Sequence, residues 1–130
     1  MNPTLKTGWD RQVQPASLNA VRRAITDAAA RYAEAYVVVS KGPQDYIQTY
    51  HETKGFILEK REGSAEQHYR GNNFAVSPSL AEFPKLWERL LDIGPRRSRH
   101  FDDKEIAAAF CAYLENSPYP ATIQWQPHKV

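Results

Sequence analysis

The sequence predicts an α+β fold, in which an antiparallel sheet of four to five short strands has three helices packed mainly on one of its faces. Two observations predict it. Segments of alternating, β-branched and aromatic residues follow one another between residues 36 and 70, and segments with helical spacing come before and after them. The 130 residues and the 42% hydrophobic content suit one domain, 1–130, with a loose N-terminal segment at 1–14.

An amphipathic first helix is predicted from Ser17 to about Ala35. Ser17 is a typical N-cap residue. The apolar residues at helical spacing are Leu18, Val21, Ile25, Ala28, Ala29 and Tyr32. Charged residues occupy the other side, which is therefore expected to face solvent.

Four strands in hairpin order are predicted next. The first is a β-branched run that ends before Lys41-Gly42-Pro43. Tight turns at Thr53-Lys54-Gly55 and Glu62-Gly63-Ser64 separate the strands that follow. The predicted strands are residues 36–39, 45–52, 56–61 and 66–70.

Two further helices and a final strand complete the predicted fold. Pro84 suits the first turn of a helix over residues 84–91, which Gly94-Pro95 ends. Asp102 and Glu105 have the spacing of a capping box at the start of a third helix. The predicted buried stripe of that helix is Ile106, Phe110, Cys111, Tyr113 and Leu114. A short last strand is predicted at residues 122–125.

The core is predicted where the third helix lies over the sheet. Ile106 and Phe110 should meet either Val37 or Val38 from the first predicted strand. Ile57 and Trp125 should complete this core from the later strands.

Composition indicates which kinds of partner and which cellular compartment to expect. A net charge of +2 is too mild to require a nucleic-acid partner. No stretch approaches the roughly 20 apolar residues that span a bilayer, and the first residues lack a secretory pattern, so no membrane association is expected. The single cysteine, Cys111, cannot form an internal disulfide and favours a reducing compartment. We therefore expect a cytoplasmic protein.

Catalytic and metal-binding motifs are not apparent in the sequence. The four histidines, His51, His68, His100 and His128, lie in no known catalytic pattern. The spacings of His, Cys, Asp and Glu do not match a zinc site or a calcium loop, and the glycines form no phosphate loop. We therefore expect no cofactor, no metal and no enzymatic activity. A His68–Glu59 pair across a hairpin keeps open the alternative of a small enzyme, since it would supply a base and its orienting carboxylate.

A polar-aromatic stripe instead predicts a protein-binding surface. Tyr46, Gln48 and Tyr50 alternate along one strand and should share one face of the sheet. Tyrosine suits interfaces because it offers a large contact area with a polar tip, although it is also an ordinary strand residue. The predicted partner-binding residues are Tyr46, Gln48, Tyr50, Glu59, Arg61, His68 and Arg70, with Arg96, Arg97 and Arg99 at the rim. For the three rim arginines, a solvated loop is the favoured alternative, because charge runs between helices are usually exposed to solvent.

A set of short motifs in this order resembles the small bacterial immunity proteins encoded beside polymorphic toxins. The motifs are DYIQ at 45–48, GFILEKREG at 55–63, QHYR at 67–70 and AAFCAYL at 108–114, with Trp125 near the end. The resemblance covers residues 36–125. Residues 77–99, which include the basic loop, form a longer segment than it predicts.

The resemblance implies a non-catalytic cytosolic protein of bacterial competition. Such a protein binds and blocks the cognate toxin domain delivered by type VI or contact-dependent secretion. It is expected to be a monomer or a weak homodimer. A secretion chaperone or adaptor that binds an effector is a further alternative, which would need an exposed apolar groove and a dimer, with the sheet face and Ala28-Ala29-Ala30 as candidate surfaces.

Overall fold

The computed structural model describes residues 2–10, 12–31, 33–64, 66–73 and 99–127. The predicted α+β class with an antiparallel sheet is confirmed, but the predicted number of strands is wrong, since the described residues contain seven strands and two helices. The predicted helix at 84–91 lies outside these residues. In chain order the elements are β1 (Thr4–Thr7), β2 (Gln14–Pro15), α1 (Leu18–Ala29), β3 (Tyr36–Gly42), β4 (Asp45–Glu52), β5 (Gly55–Glu62), β6 (His68–Asn73), α2 (Asp103–Glu115) and β7 (Ile123–Pro127).

All neighbouring strands of the single sheet run antiparallel, in the order β2-β1-β3-β4-β5-β6-β7. The strands from β3 to β6 form a meander, as the hairpin signals in the sequence predict. Neither α1 nor α2 is long and apolar enough to cross a membrane. The centre of the sheet is therefore built from hairpins that are local in sequence, and its two margins come from the chain ends.

Residues 1–14, predicted as a loose segment, contain the additional strand β1. Leu5 pairs with Val39 and Thr7 with Val37, and both side chains of β1 are buried. A four-residue strand has too little alternation to be recognised by pattern alone. It forms because β3 supplies the hydrogen-bonding edge and α1 covers the apolar side chains.

Helix α1 begins as predicted and ends earlier. The Ser17 hydroxyl accepts a hydrogen bond from the Ala20 amide at 3.1 Å, which satisfies a free donor of the first turn. The helix ends at Ala29 and not near Ala35. Ala35 is instead buried and accepts a hydrogen bond from the His51 amide at 2.9 Å, which extends the pairing of β3 with β4. Glu34, with φ of 53°, reverses the chain between the two elements.

Helix α2 carries the predicted capping box. The Asp102 carboxylate accepts from the Glu105 amide at 2.7 Å, and the Glu105 carboxylate accepts from the Asp102 amide at 3.1 Å. The buried residues of α2 are Ile106, Ala109, Phe110, Ala112 and Tyr113. Cys111 and Leu114, predicted on the buried stripe, are only partly buried because the sheet and α1 contact a narrower face of the helix.

The core lies between the two helices and one face of the sheet. Val37, Ile106 and Phe110 are fully buried there, as predicted. The prediction for Ile57 is wrong, because its neighbours Phe56 and Leu58 point toward the helices and successive strand residues alternate in direction. Trp125 packs against the core while remaining partly exposed.

Candidate functional site

The face of the sheet opposite α1 and α2, called the second face below, gathers most of the predicted partner-binding residues. Strand pairing places Tyr46 opposite Arg61, which in turn lies opposite His68. The next cross-strand row consists of Gln48, Glu59 and Arg70, which lie opposite one another on neighbouring strands. Cross-strand partners of an antiparallel sheet share a face, so these side chains form one surface.

Tyr50 extends this surface toward the β4–β5 turn. It pairs with Tyr36 on one side and with Ile57 on the other, and its side chain is 37% exposed. Sequence reasoning did not select Tyr36, Val38 or Ile57, although alternation along β3 and β5 is the signal that places them on this face. Seven of the ten predicted residues therefore lie together on the second face, and three apolar or aromatic residues join them.

Of the three arginines predicted at the rim, Arg99 is the one that lies within the described residues. Arg99 lies beside the β4–β5 turn, where its guanidinium is 3.7 Å from the Glu52 carboxylate. Arg96 and Arg97 lie outside the described residues. Their predicted role as rim residues stays a prediction.

His68 and Glu59 contact each other diagonally across the β5–β6 hairpin. The Nε2 atom of His68 is 2.7 Å from an Oε2 atom of Glu59, which also accepts a hydrogen bond from Gln48 at 3.4 Å. The His68 side chain is only 3% exposed and that of Glu59 is 20% exposed. The pair has the spacing of a base and its orienting carboxylate, and the imidazole ring is nearly fully buried.

A shallow groove runs across the second face. It has a volume of about 320 Å³, and its lining combines the aromatic rings of Tyr36 and Tyr50 with the aliphatic side chains of Val38 and Ile57. Gln48 and Glu59 close its other end with polar groups. An apolar floor with a polar margin is the usual composition of a protein-binding hot spot.

A larger cleft of about 600 Å³ lies at the β4–β5 turn and shares Tyr50 with the groove. Within it, Glu52 accepts a hydrogen bond from the His100 imidazole at 3.0 Å. This hydrogen bond, aided by the positive charge of Arg99, holds the pKa of the Glu52 carboxyl below its ordinary value. Lys54 and His51 complete the charged and titratable lining of the cleft.

At the opposite end of the sheet, the buried Lys60 side chain is paired within the protein. The buried Lys60 ammonium lies 4.3 Å from the centre of the Trp125 ring and 4.5 Å from that of Tyr119, and it contacts Glu62 at 2.5 Å. Burial raises the pKa of the Tyr119 hydroxyl to about 12. Because the lysine already contacts these two rings, the ring of Tyr69 and a carboxylate, this end favours a structural role over ligand binding.

Tyr113, near the C-terminal end of α2, connects that helix to β4 at this end of the sheet. Its hydroxyl donates to the backbone oxygen of Asp45 at 2.9 Å and lies 2.8 Å from the carboxylate of the same residue. Burial and the neighbouring Asp45 carboxylate together raise the pKa of the Tyr113 hydroxyl. Because Lys60 and Tyr113 use their polar groups in contacts within the protein, the second face is a better candidate for a binding site than this end of the sheet.

Neither a metal site in the described residues nor a similar protein identifies a function. Within the described ranges, no three His, Cys, Asp or Glu side chains are grouped to hold a metal ion. No family model, no curated protein and no solved structure matches the chain. The resemblance to immunity proteins stays a prediction from short motifs.

Proposed function

We propose that the protein is a non-catalytic immunity protein that binds and neutralises a toxin domain in the cytosol through the second face of its sheet. The observation that supports it is the position of Tyr46, Gln48 and Tyr50 on the same face as the charged residues of β5 and β6. The motif resemblance supplies the toxin as the kind of partner. The sheet geometry supplies the surface.

The second face is suited to tight binding because its backbone is held on both sides. The strands β4 and β5 lie in the middle of the sheet, so their side chains need little ordering when a partner binds. Tyr50 offers an exposed ring beside an apolar groove, and tyrosine loses little side-chain entropy on contact. We therefore expect Tyr50 to be the main anchor for the partner.

The charge of the second face favours an acidic or neutral partner surface. Lys6, Arg61 and Arg70 share this face with two carboxylates, Glu59 and Glu52. Glu59 contacts His68 and Glu52 contacts His100, and the three basic side chains outnumber these two carboxylates. A partner with acidic side chains would gain both association rate and orientation from this field.

The test is neutralisation of the C-terminal domain encoded by the adjacent upstream reading frame. Co-expression with the protein should restore growth, and the purified pair should form a complex. Tyr50→Ala should weaken binding by about 2 kcal/mol, or about 30-fold, mainly through faster dissociation. Val13→Ala is the matched control, since Val13 is an exposed apolar residue between β1 and β2. Unchanged growth inhibition with the protein present would overturn the proposal.

The alternative of a small enzyme has one observation in its favour, the 2.7 Å contact between His68 and Glu59. Activity screening of the purified protein separates the two functions. Turnover that disappears in both His68→Ala and Glu59→Gln would favour the enzyme. A partner that is bound and remains active would favour the chaperone or adaptor.

A further inference from the structure

We infer that the cleft at the β4–β5 turn receives an acidic side chain of the partner protein, beside an apolar partner residue that occupies the groove. The inference rests on the proposed function, and it specifies the chemistry of the partner segment. Tyr50 lines both the cleft and the groove, so the two form one continuous surface. One end of this surface is cationic and the other is apolar.

Two cations of the cleft have donors available for an anion. Arg99 makes no hydrogen bond within the described part of the chain, and its side chain is 52% exposed. The 3.7 Å separation from Glu52 is an ion pair beyond hydrogen-bond length, so the guanidinium fork is not committed to that carboxylate. Lys54 is exposed in the turn between β4 and β5.

The cleft carries a net positive charge even though it contains the Glu52 carboxylate. This carboxylate is already hydrogen-bonded to His100 at 3.0 Å. Arg99 and Lys54 outnumber this single carboxylate among the residues that line the cleft. A carboxylate from the partner would therefore meet two cations and not a neutralised site.

The backbone that carries these cations is held in place. Glu52 pairs with Gly55 across the turn, and the φ of 134° at Gly55 is a conformation that favours glycine. The Phe56 amide donates to the Phe101 carbonyl at 2.9 Å, and the Phe101 amide donates back to the Phe56 carbonyl at 2.8 Å. These two bonds fasten the segment after Arg99 to β5, so the cationic end is preorganised.

An acidic protein segment fits this surface better than a nucleic acid. Nucleic-acid grooves combine stacking rings with a track of cations that follows the phosphates. Here the cations occur at one end, while Val38 and Ile57 line the floor of the groove. A partner segment with an apolar side chain next to a carboxylate would place the apolar group in the groove and the carboxylate in the cationic cleft.

The inference can be tested without the toxin, with an acetylated and amidated peptide of sequence Glu-Glu-Gly-Leu-Phe titrated into the isotopically labelled protein. The amide NMR signals of Tyr50, Lys54 and Arg99 should shift. The same peptide with Gln for Glu should bind about fivefold more weakly, as expected for two exposed ion pairs at low salt. The double variant Lys54→Gln and Arg99→Gln should remove this preference.

The control is the double variant Arg22→Gln and Lys104→Gln, which removes two exposed cations from the helices and should keep the preference. Equal binding of the two peptides would overturn the inference. So would a preference that survives loss of Lys54 and Arg99, or binding of a 12-nucleotide single strand at the cleft without peptide binding. Failure of toxin neutralisation with a retained peptide preference would contradict the proposed function alone.

Discussion

Truncation of Phe110 tests the assignment of α2 to the core. Phe110 is fully buried and is the largest such side chain in the described residues. It lies on the face of α2 that contacts α1 and the central strands β4 and β5. Phe110→Ala should therefore cost about 3 to 5 kcal/mol, the usual loss for a buried phenylalanine that leaves a cavity. For a chain of this length, the midpoint of thermal unfolding should fall by about 10 to 20 °C.

The measurement is thermal and urea unfolding followed by circular dichroism, together with partner binding at a temperature where the variant is folded. Lys104→Ala, an exposed change on the same helix, should alter stability by no more than about 0.5 kcal/mol. Folded Phe110→Ala should bind with nearly the parent affinity. A variant that melts like the parent protein but no longer binds would make α2 an interface element, and the assignment of both helices to the core side would be wrong.

Three further predictions concern single groups. Tyr113→Phe should destabilise the protein by about 1 to 3 kcal/mol in urea unfolding, because it removes the hydroxyl that bonds to Asp45. Gly8→Ala should lower the unfolding midpoint, since an added methyl group would overlap the backbone of the loop before β3. In an NMR titration the pKa of Glu52 should lie below its ordinary 4.5 and should rise in His100→Ala. Because this pKa is depressed by folding, its contribution to stability is present above about pH 4.5 and is lost as the pH falls through the folded value.

Local signals predicted the parts of the fold that depend on neighbouring residues. The caps at Ser17 and Asp102 are hydrogen bonds to amides three residues away, so sequence spacing is sufficient to find them. The β4–β5 turn is equally local, and it aligns both strands along their whole length. These features could be predicted because few residues determine them.

The missed features depend on contacts that are distant in sequence. The strand β1 is stabilised by its pairing with β3. Helix α1 ends before the predicted residue, and Ala35 instead bonds to His51 of the sheet. The sequence names His68 and Glu59 as a candidate pair across the hairpin, but their 2.7 Å contact also depends on the register of β5 and β6, which alternation leaves open. Likewise, alternation placed Phe56 and Ile57 on opposite faces without indicating which face the helices cover.

Hairpin geometry alone brings the second-face residues together, so their shared position is a weaker argument for binding than their chemistry. Once Tyr46 lies opposite Arg61 and Arg61 lies opposite His68, every second residue of these strands must lie on the same face. A face meant only for core packing would carry aliphatic side chains at those positions, as the helix side does with Ile47 and Leu58. Charged residues beside tyrosine rings that are partly or fully exposed are costly to bury in a core, and they suit a surface that meets its partner after folding.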